Sequence, residues 1–248
     1  MRWPHERNNS VSGKIICIGL GPGDPDLMSV RADRLLRGAQ RVAYFRKAGS
    51  RGQARSMVEG ILSPRATEIA MEYPVTTEIP VADPRYNQAL SAFYATESNR
   101  LLAAAQEGDV LVLCEGDPLF YGSFMHLMIR LPAERVEVVP GIPGMVGCWG
   151  ALQRPVTWGD DILTVLPATL PQEELAGRLR TSDAVAVMKI GRNLEKLRQA
   201  LILAGRLEQA WLVEYGTMPG QRIRRLTEVS GPVPYFSILL LHGEGRRP

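Results

Sequence analysis

Residues Asp109–Gly116 read DVLVLCEG and form the clearest buried strand in the chain. The apolar run is shorter than a helix, is rich in valine and leucine, and is closed by a glycine at each end. Working outward, a long helix from about Arg85 to Glu107 stops at Gly108 just before it, and a helix from Gly122 to Leu131 follows it. Toward the N-terminus, KIICIGL (Lys14–Leu20), RVAYF (Arg41–Phe45) and Thr67–Met71 read as strands. Helices at about Asp26–Gly38 and Gln53–Leu62 lie between them, and RVEVVPG (Arg135–Gly141) is the next strand downstream. Tyr73–Pro84 holds Pro74, Pro80 and Pro84 and reads as a loop.

From Ile142 a small-residue helix leads to Gly150, and the alternation begins again. Strands are expected at Ile162–Leu166, Ala184–Met188 and Ala210–Glu214, separated by helices at Gln172–Arg180 and Asn193–Gly205. Arg222–Thr227 and Tyr235–Leu241 look like strands with no helix between them, which suggests an antiparallel hairpin at the sheet edge. The expected fold class is α/β, with two α/β lobes built on mixed, mainly parallel sheets. The boundaries are a leader at residues 1–12, an N-terminal lobe at 13–140 and a C-terminal lobe at 141–248. In open α/β sheets ligands bind beyond the carboxyl ends of the strands. The loops after Leu20, Cys114, Val139, Leu166, Met188 and Glu214 are therefore where chemistry is expected.

Composition narrows the choices. The chain has 248 residues, 45% hydrophobic and 22% charged, with a net charge of +3. Its arginines are spread along it apart from small clusters at Arg222, Arg224 and Arg225 and at Arg246 and Arg247, so no nucleic-acid surface is expected. Cys17, Cys114 and Cys148 are odd in number and far apart, and read as small core residues of a protein in a reducing cytoplasm. His5, His126 and His242 have no metal-ligand spacing, and no metal is expected. No run approaches bilayer length, and the polar leader lacks the apolar centre of a secretory signal. GEGRRP at the end reads as a frayed tail.

Three loops stand out. GLGPGDPD (Gly19–Asp26) imitates a dinucleotide fingerprint but fails it. Pro22 removes a backbone donor, and Asp24 puts a negative charge where a third glycine and a phosphate belong. The turn suits a sulfonium or other phosphate-free ligand better. CEGDPLFYGSF (Cys114–Phe124) brings Glu115, Asp117, Tyr121 and Ser123 together, with helix capping as the plain role for Asp117. VVPGIPGMVGCWG (Val138–Gly150) has Gly141, Gly144, Gly147 and Gly150 every three residues, a costly pattern in a helix unless something approaches closely.

GLGPGDPDLMSVRA, EGDPLFYGSF and VVPGIPG together resemble the tetrapyrrole methylase family, over nearly the whole chain from Gly13 to about His242. More specific features are MEYPVTTE (Met71–Glu78), LCEGDPLFYGSF (Leu113–Phe124), LPATL (Leu166–Leu170), VMKIGRN (Val187–Asn193) and PYFSILL (Pro234–Leu240). The resemblance implies a homodimer with S-adenosyl-L-methionine in a cleft between the lobes. It also implies methylation of a bridging (meso) carbon, carbon 20, of precorrin-2 in cobalamin (corrin) biosynthesis. The cofactor contacts it implies are Pro22, Glu115, Gly116, Asp117, Phe120, Tyr121, Pro143, Gly144, Met188 and Gly216. Asp117 and Tyr121 are the candidate catalytic groups. Uroporphyrinogen methylases of the family carry an aspartate in a tyrosine-aspartate-arginine run, where this chain has Tyr44, Phe45, Arg46, which favours a later methylation step.

Arg46, Lys47, Arg51 and Arg55 follow the second strand and are candidates for the carboxylates of a small-molecule tetrapyrrole, with Arg85 and Lys189 behind them. His126 reads as structural. The competing activities are methylation of the cobalt-bearing substrate, cobalt-factor II, and, further off, ribosomal RNA methylation on the same fold. A non-catalytic binding module and a NAD-dependent dehydrogenase complete the alternatives. No membrane partner is expected.

Overall fold

The computed structural model describes residues 12–75 and 83–246. Most of the leader with His5, residues 76–82 (the end of MEYPVTTE and Pro80) and the last two residues of the tail lie outside the described residues. Its contacts divide the chain into two compact units: residues up to Leu20 with Met28–Gly141, and Gly21–Leu27 with Ile142 onward.

The first unit holds strands β1 (Ile15–Gly19), β2 (Arg41–Arg46), β3 (Thr67–Glu72), β4 (Val110–Cys114) and β5 (Val136–Val139). Its helices are α1 (Val30–Arg37), α2 (Gln53–Met57), α3 (Pro84–Ala104) and α4 (Phe124–Met128). The strands pair in the order β3-β2-β4-β1-β5, all parallel. β1 and β4 are buried along their whole length, as a continuous apolar run in the middle of a parallel sheet must be. One face packs Phe93, Tyr94, Phe124 and Leu127 of α3 and α4, and the other packs Leu36 of α1 and Met57 of α2. The chain leaves β1 toward β2 on one side and β4 toward β5 on the other. The ends of β1 and β4 thus flank the point where the winding reverses, the position such sheets use for ligands.

The second unit holds α5 (Gly144–Leu152), β6 (Leu163–Pro167), α6 (Gln172–Thr181), β7 (Ala184–Met188), α7 (Leu194–Leu203), β8 (Trp211–Glu214), β9 (Arg222–Arg225) and β10 (Ser237–Leu241). The order is β6-β7-β10-β8-β9; β6 and β7 are parallel, and β10 runs against both β7 and β8. Residues of α6 and α7 cover one face. On the other, Cys148 of α5 meets Ala186, Val213 and Leu240. Leu239, Leu240 and Leu241 have no exposed surface.

Three elements differ from the sequence reading. The hairpin expected between Arg222–Thr227 and Tyr235–Leu241 does not form. β9 folds back on β8 instead, and β10 enters between β7 and β8. The leucines of β10 need cover on both sides, whereas RIRR of β9 belongs at an edge. The helix expected to run unbroken over Asp26–Gly38 is a 3-10 turn at Pro25–Leu27 and then α1, because Gly21–Leu27 packs with the second unit. Ser29 caps α1 by accepting a hydrogen bond from the Ala32 N–H (3.1 Å). The helix expected over Gln53–Leu62 ends at Met57, and Gly60 takes a left-handed conformation (φ 79°) just beyond.

Candidate active site

In the first unit three strand ends are welded together by glycine. A Cβ on Gly141 would lie 2.1 Å from the Gly116 carbonyl oxygen, and one on Gly19 would lie 2.5 Å from the Gly141 nitrogen. Backbone therefore packs on backbone where β1, β4 and β5 end. Asp117 locks the arrangement: Oδ1 accepts from the Leu119 N–H (2.9 Å) and Oδ2 from the Gly141 N–H (3.0 Å). Both carboxylate oxygens are engaged by backbone, so the side chain ties the β4 loop to the chain leaving β5.

Glu115 is used differently. Its Oε1 accepts from the Ala54 N–H (2.9 Å) in the first turn of α2, whose own N-cap, Gly52, has no side chain to offer. The residue keeps exposed surface, yet protein crowds its carboxyl and pushes its pKa up; the two backbone N–H groups that reach it oppose the shift. Beside it, Tyr73 follows β3, and its hydroxyl lies 2.5 Å from the Ser123 hydroxyl. Burial holds the Tyr73 phenol well above its ordinary range, so it stays protonated. Its ring stacks on Phe45 (5.4 Å, 14°). Tyr94 stacks on His126 (4.8 Å), which gives His126 a packing role. Tyr121 adopts φ 58° and sets its ring edge-on to Phe120 (5.0 Å).

The basic residues after β2 carry their own counterions. Arg46 pairs with Glu72 (3.1 Å), Arg51 with Glu59 (2.8 Å) and Arg55 with Glu68 (2.6 Å). Arg55 pulls the Glu68 carboxyl below its usual range, and Tyr44 also donates to it (2.9 Å). Lys47 makes no ion pair among the described residues. Arg85 is held by Asp83, the N-cap of α3.

In the second unit β6, β7 and β8 point the same way, so Pro167, Met188 and Glu214 end on one edge. The residues beyond them are strained: Lys189 (φ 58°), Tyr215 (φ 50°) and Thr217 (φ 65°) are all left-handed without being glycine. Such residues cost of order 1–3 kcal/mol each and gather at functional sites. The Thr217 hydroxyl accepts from the Asp24 N–H (3.3 Å). A Cβ on Gly147 would strike Pro22 (2.4 Å) and one on Gly216 would strike the Cys148 sulfur (2.6 Å). The Gly216 N–H meets that sulfur, and burial pushes the Cys148 thiol up to about 12. A Cβ on Gly144 would touch Ile238 at 3.7 Å; Val187 pairs with Leu239, which puts Met188 at the level of Ile238. Pro22, Gly144, Met188 and Gly216 thus share one edge of this unit with Pro143, the N-cap of α5. At the acidic turn the Asp24 carboxylate accepts from the Asp26 N–H (2.9 Å), and Pro22 has no N–H, so this turn offers a phosphate little.

Residues 14–229 match the family model described as Tetrapyrrole (Corrin/Porphyrin) Methylases. The chain belongs to the tetrapyrrole methylase family. This methylase is 47% identical over 240 residues to a precorrin-2 C(20)-methyltransferase of a Sinorhizobium species, covering 95% of this chain and 98% of that one. It is 28% identical to the cobalt-precorrin-2 C(20)-methyltransferase of Salmonella typhimurium, covering 94% and 97% of the two chains. Its fold matches that of a uroporphyrin-III C-methyltransferase from Thermus thermophilus complexed with S-adenosylhomocysteine, with a TM-score of 0.64, 20% identity and coverage of 94% and 98%.

Sequence reasoning on the methylase missed the glutamates that hold Arg46, Arg51 and Arg55, and the Tyr73–Ser123 contact. Glu72 is the register partner of Arg46 across β2 and β3, so aligning those two strands gives that pair. No local signal gives Tyr73–Ser123, which joins residues fifty positions apart. Among the described residues no group of three or more His, Cys, Asp or Glu side chains is placed to hold a metal. No described helix is long and apolar enough to cross a membrane.

Proposed function

We propose that this protein methylates carbon 20 of precorrin-2, giving precorrin-3A and S-adenosylhomocysteine. The observation that carries the reading is the 47% identity, over nearly the whole of both chains, to a precorrin-2 C(20)-methyltransferase. S-adenosylmethionine, when bound, supplies a methyl group on a positively charged sulfur. An acidic turn poor in free N–H groups is compatible with such a phosphate-free cation. We assign its contacts to the residues that the family resemblance implies: Pro22, Glu115, Gly116, Asp117, Phe120, Tyr121, Pro143, Gly144, Met188 and Gly216. The chain's work is to orient the reactants and keep water from the methyl group. The bridging carbon is already electron-rich, because the pyrrole nitrogens push density onto it. Of the four basic residues after β2, Lys47 is the one assigned to a substrate carboxylate, since the three arginines already hold glutamates. The working unit in this reading is a cytoplasmic homodimer that engages neither nucleic acid nor membrane.

The Salmonella relative supports a second reading, in which the cobalt-bearing macrocycle is the substrate. Parallel incubations with labelled S-adenosylmethionine and precorrin-2, its cobalt form or uroporphyrinogen III separate the possibilities. The expected result is a product one methyl heavier from precorrin-2. Label entering uroporphyrinogen III but not precorrin-2 would overturn the assignment, and preference for the cobalt form would select the second reading.

A further inference from the structure

Methylation at a ring carbon that carries hydrogen releases a proton, and resting on the function proposed above, we infer that Glu115 is the catalytic base that takes it. The step balances. The ring carbon forms a C–CH3 bond as the S–CH3 bond breaks and the sulfur becomes neutral. The C–H bond then breaks, its electron pair restores the ring double bond, and the proton passes to the Glu115 carboxylate.

Several acidic or hydroxyl groups lie on or near the β4 loop, and their hydrogen bonds separate three of them, Asp117, Tyr73 and Glu115. Asp117 has both oxygens taken by the backbone N–H groups of Leu119 and Gly141. Tyr73 is buried, hydrogen-bonded to Ser123 and held protonated, so it carries no negative charge with which to take a proton. Glu115 keeps open surface at the end of β4, beside the point where the winding of the sheet reverses. Its carboxyl is reached by the Ala54 N–H and by its own N–H, but it does not tie two strand ends together as Asp117 does. The charges on the elements packed against it do not quench it. Arg51 and Arg55, on the turn before α2 and on α2, are committed to Glu59 and Glu68, and Tyr73 is neutral. A carboxyl raised by crowding is, in its ionised form, a stronger base than an ordinary glutamate. The sequence placed Glu115, Asp117 and Tyr121 among the donor contacts and the chemistry on Asp117 and Tyr121; the hydrogen bonds of Asp117 favour moving that role to Glu115.

The test compares wild type with Glu115→Gln, whose amide oxygen still accepts from the Ala54 N–H. Loss of a general base predicts a fall in kcat of about 10²-fold or more. The acid limb of the wild-type kcat profile should vanish in the variant, and deuterium at the reacting carbon should slow the variant more than the wild type. Calorimetry with S-adenosylhomocysteine measures the assigned donor contact of Glu115 separately, and the fall in kcat at saturating donor should exceed any loss of that affinity. On the protein alone, 13C-glutamate spectra of wild type minus variant should place one carboxyl titration above the usual glutamate range. Unchanged kcat with weaker S-adenosylhomocysteine binding, or a wild-type profile with no acid limb, would overturn the inference while leaving the methyltransferase reading intact. If the variant does not fold, the wild-type pH profile and isotope effect decide the question. A wild type that methylates no tetrapyrrole sinks both readings.

Discussion

The strand ends of the two units reach their tight conformations with different emphasis, although left-handed Tyr121 follows β4 in the first unit and Gly147 and Gly216 leave no room for a Cβ in the second. In the first, Gly19, Gly116 and Gly141 stack backbone against backbone, and the space admits no side chain at all. In the second, Lys189, Tyr215 and Thr217 hold left-handed backbone with their side chains present. Glycine would relieve that strain at no steric cost, so retaining a side chain at a cost of about 1 kcal/mol or more per residue implies a use for it. The first edge is built for close approach of main chain, and the second for presenting particular groups. Thr217 shows what such a group does: its hydroxyl holds the Asp24 N–H of the acidic turn.

The largest effect that can break this contrast is Gly141→Ala. The new methyl would meet the Gly116 carbonyl oxygen at 2.1 Å and the Gly19 backbone at 2.8 Å, and neither is a flexible side-chain end. The expected loss is on the order of 3 kcal/mol or more, or failure to accumulate folded protein, read by urea unfolding. A loss under about 1 kcal/mol would show that the three strand ends are not packed this way.

A smaller effect concerns the Arg55–Glu68 ion pair beside the edge of the first unit. Arg55 lowers the Glu68 carboxyl in the folded protein, so the pair stabilises the fold above the unfolded glutamate range, near pH ~4.3, and that contribution fades as pH falls through the lowered folded value. Urea midpoints measured across this range should fall with acid in wild type, and less steeply in Arg55→Met. Equal slopes in the two proteins would remove the pair from the account. The smallest effect is the control for strain: Gln153 is left-handed (φ 53°) and exposed at the end of α5, away from any strand end. Gln153→Gly should raise stability by about 0.5–1 kcal/mol with no change in turnover. A fall in turnover would mean that left-handed backbone outside the strand ends is also functional.

Much of this was legible in the sequence because it is local. Strand-like runs marked the strands of both sheets, most of them apolar and buried though not RIRR of β9, and of the spaced Gly141, Gly144, Gly147 and Gly150 only Gly141 and Gly147 meet the expected close approach. The approaching groups turned out to be Gly116 and Pro22, from elsewhere in the chain. What failed was pairing at long range. PYFSILL and RIRR were read as neighbours because they are adjacent strands in sequence. Burial decided otherwise: the leucines of β10 went to the centre and the arginines of β9 to the edge. The counterion of Arg55 was missed because Arg55 lies on α2 and Glu68 on β3, and Asp117 was given the chemistry because its hydrogen bonds to the Leu119 and Gly141 N–H groups leave no mark in the sequence.

The most direct measurement of the central claim is the 13C NMR spectrum of the tetrapyrrole formed when the protein is incubated with precorrin-2 and S-adenosylmethionine carrying a 13C-methyl group. The account predicts a single enriched methyl resonance bonded to carbon 20, appearing with one equivalent of S-adenosylhomocysteine. Enrichment at any other ring position, or S-adenosylhomocysteine released with no label in the macrocycle, would contradict it.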